Sequence, residues 1–333
     1  MKIAIVKLSA LGDIVHAMVV LQFVKKINKK IQIDWIVEEK YKALLDNNPD
    51  ISNIHVVNLQ RAKKKKSVSL LFKEFRQLRK IGHYDLVIDM QGLIKSAIVT
   101  KLISSKKTIG FDKNSSKEGF SSYFYSSSFE IDYGLNVICR NVQLVSSAMN
   151  LTITKEELKT KKSFLYSKNI YFEENISLNK KNILLIPGAS NNSKCYSVKK
   201  LAELTTLVDA NFLIIWGSLI EKKMADKIKS IAPSVNICGK LSIDSLVSLI
   251  SQVNLVIGPD TGPTHMAWAL NIPSITLFGS TPGYRNSFVT NINRIIESNS
   301  TVNPYKINRN DYSINNIKVS EICNLTKKLL KTT

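Results

Sequence analysis

Cysteine is scarce and scattered in this chain. Cys139, Cys195, Cys238 and Cys323 form no Cys-x-x-Cys pair, so neither a zinc site nor a disulfide framework is suggested and reduced thiols are expected. Long apolar runs are missing as well: none approaches the roughly 18 residues that a membrane-spanning helix needs. Met1 leads straight into the strand-like Lys2-Ile3-Ala4-Ile5-Val6-Lys7 and then Gly12 and Asp13, which is wrong for a cleaved leader and makes a cytoplasmic location the expectation. The Gly-x-Gly-x-x-Gly fingerprint, the Gly-x-Ser-x-Gly elbow and the Walker lysine loop are all absent, which argues against NAD-linked dehydrogenases, serine hydrolases and P-loop ATPases. His16, His55, His83 and His265 lack metal-ligand spacing, so no metal site is expected.

Acidic residues are the other shortage, 26 against 47 basic, for a net charge of +21. An excess this large implies an anionic partner such as nucleic acid, an anionic membrane surface or a phosphorylated substrate, unless it is only the compositional bias of a chain rich in Asn, Ile and Lys. Its placement favours a partner. Between Arg61 and Lys80 the only acid is Glu74, against Arg61, Lys63, Lys64, Lys65, Lys66, Lys73, Arg76, Arg79 and Lys80. No aromatic residue is interleaved with the 61–66 run and no reading motif is present, so specific nucleic-acid recognition is not expected.

What the chain does have is alternation. At 333 residues it is longer than one typical core, and two domains are expected. Short β-rich runs near 2–7, 31–37, 54–58, 85–89 and 107–111 are followed by a second series at 182–186, 212–216, 235–238, 255–257 and 274–278, with helical patterns between them. The segment 14–27 puts Ile14, Ala17, Met18, Leu21 and Val24 on one face, and 68–78 does the same with Val68, Leu71, Phe72, Phe75 and Leu78. The polar stretch 151–180 reads as a connection between domains 1–160 and 175–333, and a basic amphipathic helix at 318–330 is free to pack back on either. The expected fold class is α/β, with two Rossmann-like lobes and a cleft between the carboxyl ends of their strands.

The candidate chemistry lies at those strand ends. Asp13, after the first strand, is placed either to cap a helix or to take a proton from an acceptor hydroxyl. Lys194 closes the loop Pro187-Gly188-Ala189-Ser190-Asn191-Asn192-Ser193-Lys194, as a plain surface lysine or as a cation for a departing diphosphate. Glu221, at the opening of a helix after Trp216-Gly217-Ser218, either favours the helix dipole or accepts hydrogen bonds from a ribose. The stretch Gly258-Pro259-Asp260-Thr261-Gly262-Pro263-Thr264-His265 reads as strand, tight loop and helix start. Its helix N-terminus suits phosphate, and its carboxylate, hydroxyls and imidazole suit a hydroxyl-rich ligand.

With these residues placed, the chain resembles the bacterial lipopolysaccharide heptosyltransferases, glycosyltransferases of the two-lobed B type, over nearly its whole length. Lys7-Leu8-Ser9-Ala10-Leu11-Gly12-Asp13-Ile14-Val15-His16-Ala17 and Tyr84-Asp85-Leu86-Val87-Ile88-Asp89-Met90-Gln91-Gly92-Leu93-Ile94-Lys95-Ser96-Ala97 resemble the type I subgroup, while Gly258–His265 is similar to the wider family. The resemblance implies inverting transfer of L-glycero-D-manno-heptose from ADP-heptose to the inner Kdo sugar of Kdo-lipid A. It also implies no cofactor, no metal, and a peripheral position on the cytoplasmic face of the inner membrane. By that resemblance Asp13 is the general base and Lys194 meets the departing diphosphate. Glu221 holds ribose, Ser190 lies near the phosphates, Leu241 lines the adenine pocket, and Asp260, Thr261, Gly262 and His265 bind the diphosphate and sugar. Arg61, Lys63, Lys64 and Lys117 match basic positions that meet the phosphorylated lipid headgroup. Ala189 and Asn136 depart from the family, which often has threonine and histidine there. The competing expectations are a relative that adds the second heptose or uses another nucleotide sugar, and a basic membrane- or nucleic-acid-binding module on an α/β scaffold.

Overall fold

A computed structural model describes residues 1–331; Thr332 and Thr333, the end of the second expected domain, lie outside the described residues. The chain divides into two compact units, Met1–Phe164 and the remainder from Leu165. Unit 1 is built on strands β1 (Lys2–Val6), β2 (Gln32–Glu38), β3 (Asn53–Val57), β4 (His83–Asp89), β5 (Ser104–Phe111) and β6 (Ser127–Phe129), all parallel in the order β3-β2-β1-β4-β5-β6. Helices α1 (Leu11–Met18), α2 (Val20–Ile27), α3 (Leu59–Lys64), α4 (Val68–Leu78), α5 (Ile94–Leu102), α6 (Val137–Met149) and α7 (Lys155–Lys159) accompany it. The unbroken apolar run Ile3-Ala4-Ile5-Val6 is buried on both faces of β1, as a central parallel strand requires.

Two expected helices behave differently once folded. The segment read as one helix over 14–27 is two, α1 and α2, separated at Val19, and all five residues of its expected apolar face are buried. Helix α4 has the expected bounds but buries only part of its apolar face. Leu78 and Phe75 join the cluster around Val6, Ile36 and Val87, whereas Val68 and Phe72 remain 64% and 68% exposed. Strand β6 is not apparent in the sequence, because Ser-Ser-Phe is too short and polar to stand out.

Unit 2 repeats the plan. Strands β7 (Asn182–Leu185), β8 (Asn211–Ile214), β9 (Asn236–Ile237), β10 (Leu255–Pro259), β11 (Ser274–Phe278) and β12 (Asn293–Glu297) are parallel in the order β12-β11-β10-β7-β8-β9. Counted from its own first strand, this is the same 3-2-1-4-5-6 order as in unit 1. The helices are α8 (Val198–Leu207), α9 (Leu219–Ile231), α10 (Ile243–Gln252), α11 (Gly262–Ala269), α12 (Gly283–Asn286) and α13 (Val319–Leu330). The final helix, α13, packs inside unit 2, where Val319, Ile322 and Leu329 join the core that holds Leu201 and Leu204 of α8. In each sheet the strand order reverses between the first and fourth strands, β1 and β4 or β7 and β10. The loops beyond their carboxyl ends are where such sheets bind ligands.

Candidate functional site

The loops at the unit 2 switch point carry a buried charge cluster. Asp260 follows β10 and is 8% exposed, and its two carboxylate oxygens accept from four side chains. Lys194 Nζ donates to Oδ2 at 2.6 Å, Thr281 Oγ1 at 3.0 Å and Asn286 Nδ2 at 3.2 Å, while His265 Nε2 lies 3.0 Å from Oδ1. Burial alone would raise the Asp260 pKa, but the Lys194 ammonium and the His265 hydrogen bond hold it far below the usual carboxylate range. An ionised Asp260 can only accept, so His265 Nε2 is the donor of that hydrogen bond. Removing one member of such a buried pair costs about 3–5 kcal/mol, because the other charge is left without compensation.

Lys194 is therefore no surface lysine. It closes the short 3-10 turn Asn192–Lys194 after β7, and its side chain is only 12% exposed. The carboxylate takes one of its three ammonium donors, and the Asp260 carbonyl lies 3.4 Å from the same nitrogen, which fixes the ammonium in place. Helix α11 opens in the same loop, with Thr261 as its extended N-cap and Pro263 in its first turn. The N–H groups of that turn lack intrahelical partners and carry the positive end of the dipole. The Thr261 hydroxyl makes no capping bond, whereas the Thr264 hydroxyl donates to the Pro259 carbonyl at 2.9 Å and is committed to the fold. Gly258 has to be a glycine: a Cβ there would stand 2.7 Å from Ile186 Cβ.

Glu221 belongs to the next strand end. It is the third residue of α9 and closes a capping box, its Oε2 accepting from Gly217 N at 2.7 Å and Ser218 N at 2.8 Å while Ser218 Oγ accepts from Glu221 N. Such a cap stabilises a helix by about 1 kcal/mol. Oε1 has no partner among the described residues. A Cβ on Gly188 would stand 2.6 Å from it, so glycine at 188 is what leaves room for the carboxylate. Ser190 is exposed and Leu241 half-buried.

In unit 1 the structure corrects one local reading. Asp13 is not the N-cap of α1: that position is Ala10, with extended backbone, and Asp13 is the third helical residue. A carboxylate one turn in reaches back instead, and Oδ2 accepts from Ala10 N at 3.2 Å. Asp13 is exposed, and its Oδ1 has no partner among the described residues. Leu11, Gly12 and Asp13 already take helical geometry, so α1 starts three residues before Ile14.

The basic acceptor-side candidates are dispersed over exposed surface. Arg61, Lys63 and Lys64 lie on the short helix α3, and Lys117 sits in the loop before the 3-10 helix Gly119–Phe124. Glu74, the lone acid of the 61–80 segment, is buried and accepts from Asn58 N at 2.9 Å, so the exposed charges of that segment are all basic. No group of three or more His, Cys, Asp or Glu residues suited to a metal ion is found among the described residues. Thr281, Asn286, Asp89 and Gln91 carry no sequence signal that assigns them a role. The first two follow a strand with no chemical signature, while the last two stand inside the Tyr84–Ala97 motif.

The model for glycosyltransferase family 9 (heptosyltransferase) matches residues 71–311. The chain is 40% identical to lipopolysaccharide heptosyltransferase 1 of Campylobacter coli, with 99% of each chain covered, and 26% identical to the protein of the same name from Escherichia coli K12, covering 85% of this chain and 89% of the relative. Among solved structures, the fold is similar to E. coli heptosyltransferase WaaC with ADP, at a TM-score of 0.81 and 20% identity, covering 99% of this chain and all of that one. E. coli ADP-heptose lps heptosyltransferase II aligns at a TM-score of 0.75 and 17% identity, over 100% of this chain and 99% of that one.

Proposed function

The chain belongs to glycosyltransferase family 9, the heptosyltransferase family, and on that premise we propose that it transfers L-glycero-D-manno-heptose from ADP-heptose to the inner Kdo of Kdo-lipid A, with inversion. The observation that carries the donor side is the cluster around Asp260. Departure of ADP builds charge on a diphosphate, and a lysine held in place beside a helix N-terminus stabilises that charge without reorganising during the reaction. Asp260 serves this as a positioning group, since its oxygens are occupied by Lys194, His265, Thr281 and Asn286. Thr261, Gly262 and Ser190 are the groups left to meet phosphate and sugar oxygens. Glu221 Oε1, uncommitted over Gly188, is suited to accept from ribose hydroxyls, and Leu241 offers apolar surface for adenine.

Asp13 is the general base on the acceptor. Its exposed carboxylate has one oxygen held by Ala10 N and the other available to take the proton of a Kdo hydroxyl as that oxygen attacks the anomeric carbon. An oxocarbenium-like transition state calls for a base on the acceptor hydroxyl and a stabilised leaving group, and no step requires a metal or cofactor.

The acceptor is a lipid, and unit 1 meets it at an anionic membrane surface. That reading is supported by the exposed basic residues of 61–80 beside Val68 and Phe72, which leave apolar side chains in water on a helix flanked by positive charge. The test is a coupled assay of the purified protein. ADP release that requires both ADP-heptose and Kdo-lipid A is expected; no release with that pair, together with turnover of another donor, contradicts the assignment.

A further inference from the structure

We propose that Gln91 is a positioning residue for catalysis, fixing the Asp13-bearing loop through its side-chain amide oxygen. The inference rests on the reading of Asp13 as the base. Strands β1 and β4 are neighbours at the switch point of unit 1, so the loops that follow them run side by side. Beyond the last rung of that ladder the Leu8 and Ser9 N–H groups have no strand to bond to. Both donate to Gln91 Oε1 at 3.1 Å. A carbonyl oxygen has two lone pairs, and two N–H donors on it settle which way the amide faces.

Gln91 is itself held from below. Its N–H and that of Gly92 donate to Asp89 Oδ1 at 2.8 and 3.2 Å, and Tyr125 OH donates to Asp89 Oδ2 at 2.7 Å. Lys7 Nζ donates to the Met90 carbonyl at 2.8 Å, tying the two loops a second time. From Ser9 a single peptide leads to Ala10, whose N–H holds Asp13 Oδ2 and whose carbonyl accepts from Ile14 N at 2.9 Å. A path of hydrogen bonds and one peptide therefore runs from a fully buried aspartate to the exposed carboxylate, and among the described residues Gln91 is its one link between the two loops that ends on backbone N–H groups of the Asp13-bearing loop. Displacement of Leu8 and Ser9 would carry Asp13 with it, and a shift on the order of 1 Å at a reacting group costs about 100-fold in rate.

The variants are Gln91→Met, which keeps the size and removes the acceptor, and Gln91→Glu, which keeps an oxygen for both N–H groups. Each is assayed for kcat at saturating substrates, for ADP affinity by titration, and for melting temperature. We expect Gln91→Met to lose roughly 10- to 100-fold in kcat while ADP affinity stays within about twofold, and Gln91→Glu to recover most of the rate. Should the Met variant fail to fold, Gln91→Asn, one methylene too short to reach both donors, gives the same contrast. An unchanged kcat in Gln91→Met, or a Glu variant as slow as the Met variant, overturns the proposal. Asp13→Asn separates the two claims: if it retains turnover the base reading fails, and if it abolishes turnover while Gln91→Met is fully active, only the positioning role fails.

Discussion

Units 1 and 2 share a strand order and each places a buried aspartate where the fourth strand ends, yet the two carboxylates live in opposite surroundings. Asp89 in unit 1 receives two backbone N–H groups and a tyrosine hydroxyl, and burial pushes its pKa up. Asp260 in unit 2 receives an ammonium and an imidazole, and is held strongly acidic. The same topological position is used in one unit to shape a loop with neutral donors, and in the other to hold a cation. That difference matches the chemistry proposed for each: unit 1 needs a free carboxylate, Asp13, to remove a proton, whereas unit 2 needs positive charge where a diphosphate leaves.

The sharpest way to break this comparison is to remove the cation. Lys194→Ala is expected to destabilise unit 2 by about 3–5 kcal/mol, since Asp260 is left buried and uncompensated, and to lower kcat by roughly 10²- to 10³-fold. Asp89→Asn keeps an oxygen for the Gln91 and Gly92 N–H groups and should cost about 1–2 kcal/mol. Equal losses from the two variants in denaturant titrations would erase the distinction.

Acid sharpens it next. Asp34 in β2 is fully buried, and although burial raises its pKa, hydrogen bonds from His55, Tyr84 and Asn53 and the Lys2 charge bring it down to about 2. A carboxylate depressed below its unfolded value stabilises the protein above about pH 4 and loses that contribution as pH falls towards 2, about 2 kcal/mol in all. Asp34→Asn should flatten the acid limb of a stability-against-pH curve; an unaltered limb would contradict this. The smallest expected effect is at Gly188, where alanine would place a Cβ 2.3 Å from Glu221 Cγ. Gly188→Ala should weaken ADP binding about tenfold by displacing a charge-assisted contact, as read by calorimetric titration, and cost about 1 kcal/mol of stability through the disturbed α9 cap.

Much of this was legible in the sequence because central parallel strands are uniform apolar runs and their exits carry glycine, proline and polar residues. Lys2–Val6 and Leu255–Pro259, with the loops after them, are the clearest cases. Strand β12 escaped because Asn-Arg-Ile-Ile-Glu at a sheet edge has neither a run nor an alternation. The residue types of the candidate site were also readable, but their partners were not. Nothing local says that Asp260 spends both oxygens on Lys194, His265, Thr281 and Asn286, since Lys194 is 66 residues away in sequence. The Asp13 position shows the same limit: a carboxylate near a helix start caps from outside or from the third residue, and only the backbone at Ala10 decides.

If unit 1 supplies the base and unit 2 the donor site, Asp13→Asn separates the two roles when turnover and ADP-heptose affinity are measured on the same protein. Turnover is expected to fall by about 10³-fold or more, with donor affinity and melting temperature close to those of the unaltered chain. Retained turnover, or a loss of donor affinity large enough to explain the lost rate, would contradict that division of roles.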